Sequence, residues 1–451
     1  MRRLSLLFNG ALSSASALAL LVAAEGAAAQ DAGEASKPAP AQAAQQGSAI
    51  NLDTITVTVT KTEESVVDTM AGASVVTGRQ IERQMPSSVS QMLENVPGVA
   101  SQTTPNDPGQ SISIRGLQDF GRVNVLVDGA RQDYQISGHN ANGSFYLAPE
   151  FIGQADVVRG PVSNIYGSGA IGGVVSFRTR GVEDILRPDE KFGIEQRTML
   201  GTNGAGLVTS TSAGARAGTA ADVYGQLVYR NSSSYRDGSG AVVPDTGSDL
   251  LGGLFKLNVR PTDSQQITAT AMQQKFNFIN NGTSTDGARF KDDVTTGNYT
   301  LGYTFRPSWT PLVDFGAKVY YSTTQNRQTY LAPDADGVYS ALGVMPGAPL
   351  SDTIDTYGFD VHNTSRFATG AFNHALTIGG DGVVDKVHTA DDAGGYISVL
   401  TPSGQRTLSG AFVQDEVGYG GWLRALGRCA SINTACRAAA SVRAASTSRP
   451  N

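Results

Sequence analysis

The sequence predicts an N-terminal α+β domain followed by an antiparallel transmembrane β-barrel, and three observations predict it. Between Ser111 and Arg178, short β-branched runs (Ile112 to Ile114, Val123 to Val127, Val157 to Val158, Val174 to Phe177) mostly lie next to glycine. Such runs bounded by Gly and Asp-Gly read as strands joined by tight turns. From Lys191 onward the texture changes to alternating apolar and polar residues, the period-two signature of a half-buried strand. The connections between the alternating segments are short and long by turns, the asymmetry expected of a membrane barrel.

Composition narrows the class. The chain has 451 residues, 53 of them glycine and 2 cysteine, with a formal net charge of -6. It has neither a basic excess nor a Lys/Arg block, which argues against nucleic acid as a partner. Past the N-terminus no run of about 18 apolar residues occurs, so a helical membrane span is not expected. Alternating strands escape that test.

In chain order, residues 1–29 read as an export signal: Arg2 and Arg3, an apolar stretch from Leu4 to Val22, and Ala27-Ala28-Ala29 before Gln30. Residues 30–61 are a flexible linker, rich in Ala, Gln, Pro and Gly at first. Within it stands a β-prone pentapeptide, Asp53-Thr54-Ile55-Thr56-Val57. It is either the first strand of the next domain or an extended peptide that adds to a partner's sheet edge. The α+β domain spans 62–180. Ser88 to Val96 reads as its helix: Ser88 and Gln91 form a capping box, Val89, Met92, Leu93 and Val96 make one apolar stripe, and Pro97-Gly98 ends it. Gly167 to Gly172 matches G-x-G-x-x-G, but the strand-like Val174 to Phe177 follows where a dinucleotide site needs a helix. The oxidoreductase reading is rejected.

From 190 to 422 the sequence reads as part of a barrel with about ten strands of roughly 10 residues each. Val223, Gly225, Leu227 and Tyr229 alternate with Tyr224, Gln226, Val228 and Arg230. Tyr299, Leu301, Tyr303 and Phe305 behave alike, as do Val313, Phe315, Ala317, Val319 and Tyr321. Short connections (Ala215 to Ala221, Arg260 to Gln265, Pro307 to Pro311, Thr364 to Gly370) interleave with long ones (Asn231 to Asp249, Lys275 to Thr296, Thr323 to Ile354, Gly380 to Thr407). His362 falls on the polar, lumen-facing phase, and His374 and His388 fall near an outer loop. Residues 423–451 contain five arginines, no acidic residue and no alternation. They read as an aberrant tail, the expected product of a frameshift or premature stop. Cys429 and Cys436 lie in it and are assigned no role, and no metal site is expected.

Four motifs go further: Ile114-Arg115-Gly116, Val127-Asp128-Gly129, Val158-Arg159-Gly160-Pro161, and Tyr166-Gly167 through Gly173. They resemble the plug domain of TonB-dependent outer-membrane receptors. The likeness is dense from Asp53 to Arg178 and fades to a pattern through Val417. Gly138-His139 through Ala148-Pro149-Glu150 resembles the haem and haemoglobin branch (haemoglobin/transferrin/lactoferrin receptors).

The resemblance implies a non-enzymatic receptor in the outer membrane, closed by about 22 strands, so that the barrel legible here is incomplete. It implies that Asp53, Thr54, Ile55, Thr56 and Val57 bind the energy-transducing protein TonB. It implies that Arg115 and Arg159 anchor the plug to acidic residues of the barrel; a local pair with Asp128 or Asp156 is the alternative. Haem, from haemoglobin as one source, is the implied transported ligand, with no permanently bound cofactor. His139, in a Gly/Asn-rich loop with Tyr134 and Tyr146 nearby, is the candidate axial donor, since His or Tyr serves haem iron. The second ligand lies beyond the end of the chain. A ferric-siderophore receptor and a truncated, non-transporting fragment are the alternatives.

Overall fold

The computed structural model describes residues 55–56, 64–65, 72–118, 122–134, 144–162, 170–280, 289–332, 345–391, 403–420 and 423–438. All belong to one compact unit, Leu52–Asn451. The leader and most of the linker, the segment holding His139 and half of the G-x-G-x-x-G match (Gly167 to Gly169) lie outside the described residues.

The N-terminal domain opens with a two-residue ladder, β1 (Ile55–Thr56) against β2 (Glu64–Ser65). Then come β3 (Gly72–Thr77), α1 (Gly78–Gln84), α2 (Val89–Leu93), β4 (Val99–Thr104), β5 (Asp107–Ile114) and β6 (Leu117–Gln118). β7 (Val123–Val127), β8 (Ala130–Arg131), β9 (Ile152–Arg159) and β10 (Gly173–Thr179) complete it. Five strands form one sheet in the order β3-β9-β10-β7-β8, and β4-β5-β6 form a second. β10 runs parallel to β7 and antiparallel to β9.

The local chemistry explains the helices. Thr77 caps α1 in a reciprocal box with Gln80. Ser88 caps α2 by accepting from the Gln91 N–H, while the Gln91 side chain accepts from Ser87 rather than closing the box on Ser88. α2 is shorter than the expected Ser88 to Val96, but its stripe is buried: Val89, Met92, Leu93 and Val96 all sit in the core. α1 went unread in the sequence because it holds a single buried residue, Ile81.

The second part is one antiparallel sheet of eleven strands in sequence order. Its strands are β11 (Phe192–Gly201), β12 (Gly206–Ala217), β13 (Ala221–Asn231), β14 (Ser248–Thr262), β15 (Gln265–Asn280) and β16 (Arg289–Phe305). β17 (Phe315–Ala332), β18 (Pro349–Thr369), β19 (Phe372–Asp391), β20 (Gly404–Tyr419) and β21 (Leu423–Ala438) follow. Lengths run from 10 residues in β11 to 21 in β18, longer than expected, because the ladders continue into polar stretches read as loops. The strand ends joined by the long connections 232–247, 281–288, 333–348 and 392–403 lie at one end of the sheet. The turns 218–220, 263–264, 306–314, 370–371 and 420–422 gather at the other. Two connections depart from this order: 202–205 is short at the loop end, and 306–314, at the turn end, is as long as 281–288. No helix among the described residues is long and apolar enough to cross a membrane.

Two expectations need correction. Leu423 to Ala438, read as tail, is the eleventh strand, paired with β20 from Tyr419↔Leu423 to Gly404↔Ala438. Backbone pairing does not require alternation, which is why the sequence did not announce it. Its cysteines, Cys429 and Cys436, are free and exposed. His374 lies beside the 370–371 turn, not near an outer loop, because β18 and β19 extend to that turn. There Thr369 and Asp415 bond its two ring nitrogens, at 2.7 and 2.8 Å, and it stacks on Phe367.

The two faces of the sheet differ as the alternation predicts. Leu227, Leu251, Leu301, Val319, Phe359 and Ile378 are exposed on one face. On that face Tyr299, Tyr321 and Tyr357 stand opposite one another on β16, β17 and β18, with centroids 5.9 and 4.9 Å apart. The other face is covered by the N-terminal domain. Tyr224, Val228, Leu254, Met272, Phe276 and Val294 share one buried core with Met92, Leu93, Ile112, Val125 and Phe177.

Candidate functional site

The site follows from how that domain is held against the sheet. At the loop end, the two sides of residues 135–143 are joined: the Ser144 N–H donates to the Tyr134 carbonyl at 3.0 Å, and Phe145 pairs with Gln110 in both directions. Tyr146 packs on the rings of Phe276 and Phe278 of β15. Gln274, wholly buried on the same strand, accepts from the Ala148 N–H at 2.8 Å and donates to the Tyr146 carbonyl at 3.4 Å. Tyr134 and Tyr146 are buried, and burial together with nearby carboxylates pushes both phenols well above their ordinary range. Asp107, beside Tyr146, is also raised by burial, although the Gly109 N–H and the Tyr146 hydroxyl oppose this. A phenol kept neutral in this way remains a hydrogen-bond donor.

Below this clamp, charged pairs cross from domain to wall. Glu150 meets Arg230 of β13, which also donates to the Ser87 carbonyl at 2.6 Å. Glu82 of α1 meets Arg197 of β11 at 2.6 Å. Asp133, just past β8, meets Arg406 of β20 at 3.5 Å, and Arg406 is held by Asp385 at 2.6 Å.

Nearer the turn end, the β7–β8 turn is gripped from two strands. The Lys318 ammonium of β17 donates to the Asp128 carbonyl at 2.6 Å. Lys256 of β14 donates to the Thr179 carbonyl at 2.9 Å and lies 3.8 Å from the Asp128 carboxylate. Asp128 also accepts from the Thr179 N–H and hydroxyl. Burial opposes its ionisation, but Lys256, the two Thr179 donors and Lys318 outweigh burial and hold the carboxyl below its ordinary value. Asp128 and Gly129 both have positive φ, 48° and 82°, the left-handed region that glycine tolerates best.

The sequence-predicted residues fall as follows. Arg159 bonds within its own domain, to the Ser74 hydroxyl at 2.7 Å and to the carbonyls of Ala73 and Pro97. Burial, then the neighbouring Arg115, lowers its pKa. Arg115 is exposed, with φ 53°. Among the described residues no carboxylate pairs with either guanidinium, and neither Asp128 nor Asp156 does so. The charged wall contacts come instead from Glu82, Asp128, Asp133 and Glu150, and from Arg180, whose guanidinium meets Glu195 of β11 at 3.0 Å. Of the pentapeptide, Ile55 and Thr56 form β1, and Asp53, Thr54 and Val57 lie outside the described residues, as does His139. Lys256 and Lys318 were legible only as inward-phase polar positions in the middle of alternating strands.

Comparison with known proteins agrees with this architecture. Residues 65–174 match the family model of the TonB-dependent receptor plug domain. The TonB-dependent heme receptor A of Haemophilus influenzae is 23% identical over 383 residues, covering 77% of this chain and 50% of that protein. The hemin receptor of Yersinia enterocolitica is 26% identical over 382 residues, covering 82% and 50%. The chain thus spans about half the length of the curated relatives it matches. Among solved structures, a double mutant of the Serratia marcescens hemophore receptor HasR, in complex with its hemophore HasA and heme, superposes with a TM-score of 0.73. It is 25% identical, and the match covers 82% of this chain and 53% of that one. Residues 65–174, which match the TonB-dependent receptor plug model, are thus a mixed sheet seated against one face of an eleven-stranded antiparallel sheet, the architecture of the TonB-dependent receptors to which this chain is similar.

Proposed function

We propose that the protein of which this chain is all or part takes up haem across the outer membrane, driven by TonB. The observation that carries this is the clamp on Tyr134 and on Ser144 to Ala148, which fixes both flanks of the stretch containing His139 against β15 at the loop end of the wall. A histidine in that stretch could give haem iron an axial donor. The names of the heme and hemin receptor relatives support the same ligand. The exposed apolar face of the sheet suits lipid, and the plug lies on its opposite face.

Energy would enter at Asp53 to Val57. Ile55 and Thr56 already pair with Ser65 and Glu64, so strand addition by TonB would exchange one short ladder for another. Arg115 and Arg159 remain candidate anchors towards acidic groups other than the described ones.

The test is titration of the detergent-folded chain with ferric haem, and separately with a ferric hydroxamate siderophore. A Soret shift with haem and no response to the siderophore is expected. Binding of the siderophore alone would replace this reading with the siderophore one. His139→Ala should weaken haem binding at least tenfold, and an unchanged titration would remove His139 from the site.

A further inference from the structure

We propose that the exposed face of the wall between β15 and β19, on the loop-end side of its tyrosine row, binds the phosphorylated headgroup of an anionic membrane lipid through Lys275, Lys291, Arg327 and Lys386. The proposal rests on the membrane reading of the sheet and is independent of the haem reading.

The exposed face marks its own boundaries. Tyr299, Tyr321 and Tyr357 form one aromatic row. Phe367, also exposed, lies further along β18 towards the turn end. At a rise of about 3.3 Å per residue and a tilt of about 40°, the interval from Tyr357 to Phe367 spans about 25 Å, the height of the apolar band of an outer-membrane barrel. Leu301, Val319, Phe359 and Ile378 are exposed between these limits. On the loop-end side of the tyrosines the same face turns polar.

The ladder register places four cations there, because paired residues and alternate residues share a face. Lys386 stands opposite Asp355, one two-residue step from Tyr357, with its ammonium 5.4 Å from the centre of the Tyr357 ring. Lys275 stands opposite Thr295, two such steps from Tyr299. Arg327, opposite Asp293, is three steps from Tyr321, and Lys291, opposite Thr329, is four from Tyr299. All four are exposed. They begin about 5 Å beyond the tyrosines along the membrane normal and extend to about 20 Å, the level of headgroups rather than acyl chains.

Their charge is unmet within the chain. Among the described residues none of the four pairs with a carboxylate or donates a side-chain hydrogen bond. The other described Lys and Arg side chains of β13 to β20 each meet a carboxylate or a carbonyl. Asp293 and Asp355 are the carboxylates on this patch, and the Tyr321 hydroxyl already donates to Asp355 at 2.7 Å. Exposed ammonium and guanidinium groups in excess over carboxylates suit phosphate. The apolar band starts where the cations stop, so a ligand carrying both acyl chains and phosphate matches both halves of the surface. Free phosphate would use one half only.

The test uses the full chain folded in dodecyl maltoside. Native mass spectrometry reads its apparent affinity for diphosphorylated lipid A, with dephosphorylated lipid A and phosphatidylcholine as controls. The diphosphorylated lipid should bind at least tenfold more tightly than either control. Lys386→Gln should weaken it about fivefold, the effect of one basic residue at an anionic surface. Glutamine at all four positions should weaken it about 100-fold or more. Lys275→Arg, Lys291→Arg and Lys386→Arg together should keep the affinity. If the fourfold variant fails to fold, Lys386→Gln and Arg327→Gln singly serve as the test. Equal binding of the three lipids, or unchanged affinity in the glutamine variants, would overturn the site. Displacement of lipid A by an equal concentration of inorganic pyrophosphate would overturn it too, in favour of a free-phosphate site. A chain that stays dissolved without detergent would remove the membrane reading along with the site.

Discussion

Replacing Asp128 with asparagine should loosen the plug from the wall by about 2–4 kcal/mol. The carboxylate accepts two hydrogen bonds from Thr179 and faces Lys256 at 3.8 Å, with both charged side chains about nine-tenths buried. Asparagine keeps one acceptor oxygen but turns an NH₂ towards the second Thr179 donor. A hydrogen bond to a charged group contributes about 1.5–3 kcal/mol. At an effective dielectric of about 20, a pair at this separation attracts by about 4 kcal/mol, part of which is offset by the cost of burying the charges. Lys256 keeps its bond to the Thr179 carbonyl, so the loss stays below that of a fully stranded cation. Hydrogen exchange of the β7 and β10 amides, measured on the folded chain, reads the effect. Protection at Val123 to Val127 should fall about 30- to 1,000-fold. Lys256→Gln combined with Asp128→Asn should cost less than the sum of the two single changes. Strict additivity, or unchanged protection in the single variant, would refute the claim that this turn is held by charge.

Two further outcomes follow from the same geometry. Gly129→Ala should destabilise the plug by about 1–3 kcal/mol, since φ is 82° and a Cβ would lie 2.5 Å from the Lys318 ammonium; urea unfolding of the plug that matches wild type would count against it. Asp107 gives a pH signature: burial raises its folded pKa above the ordinary carboxylate value, so its contribution is fully present below about pH 3.9 and is lost as pH rises through the raised folded value. Asp128, with a lowered folded pKa, does the opposite and is lost as pH falls through that value. Asp107→Asn should therefore flatten the neutral side of the plug's stability profile and leave the acid side, set by Asp128, unchanged.

The legible parts of this chain are those where one residue type repeats at a fixed period. Tyr299, Leu301 and Val319 declared their strands because lipid demands apolar side chains at every second position. Val89, Met92 and Leu93 declared α2 because its face is buried. β21 was illegible because it is exposed on nearly every residue, and exposure imposes no period. The site was harder for another reason. Asp128 with Lys256, Glu150 with Arg230, and Asp133 with Arg406 are far apart in sequence, and a single chain says nothing of which inward lysine meets which plug carboxylate. Arg115 and Arg159 were visible as motif arginines, yet Arg159 bonds to its own domain through Ser74, Ala73 and Pro97. A motif records that a side chain is constrained, not which partner constrains it.

The arrangement of the contacts bears on how such a plug could yield. β1 enters at the N-terminus, and Gly72 to Thr77 of β3 pair with Arg159 to Gln154 of β9. A pull on the linker would therefore reach β3 first, then β9, where Arg159 spans to Ser74, Ala73 and Pro97. β9 is followed by β10, whose last residue, Thr179, is held by Asp128 and Lys256. The stem at Tyr134 and Tyr146 lies on the far side of this sequence and is fixed by Gln274 and aromatic packing, neither of which depends on Arg159. Force from the N-terminus would then act on the β3–β9 edge and the Asp128 turn before it acted on the loop-end clamp. A plug held this way can open on its turn-end side while Tyr134 and Tyr146 keep their place against β15.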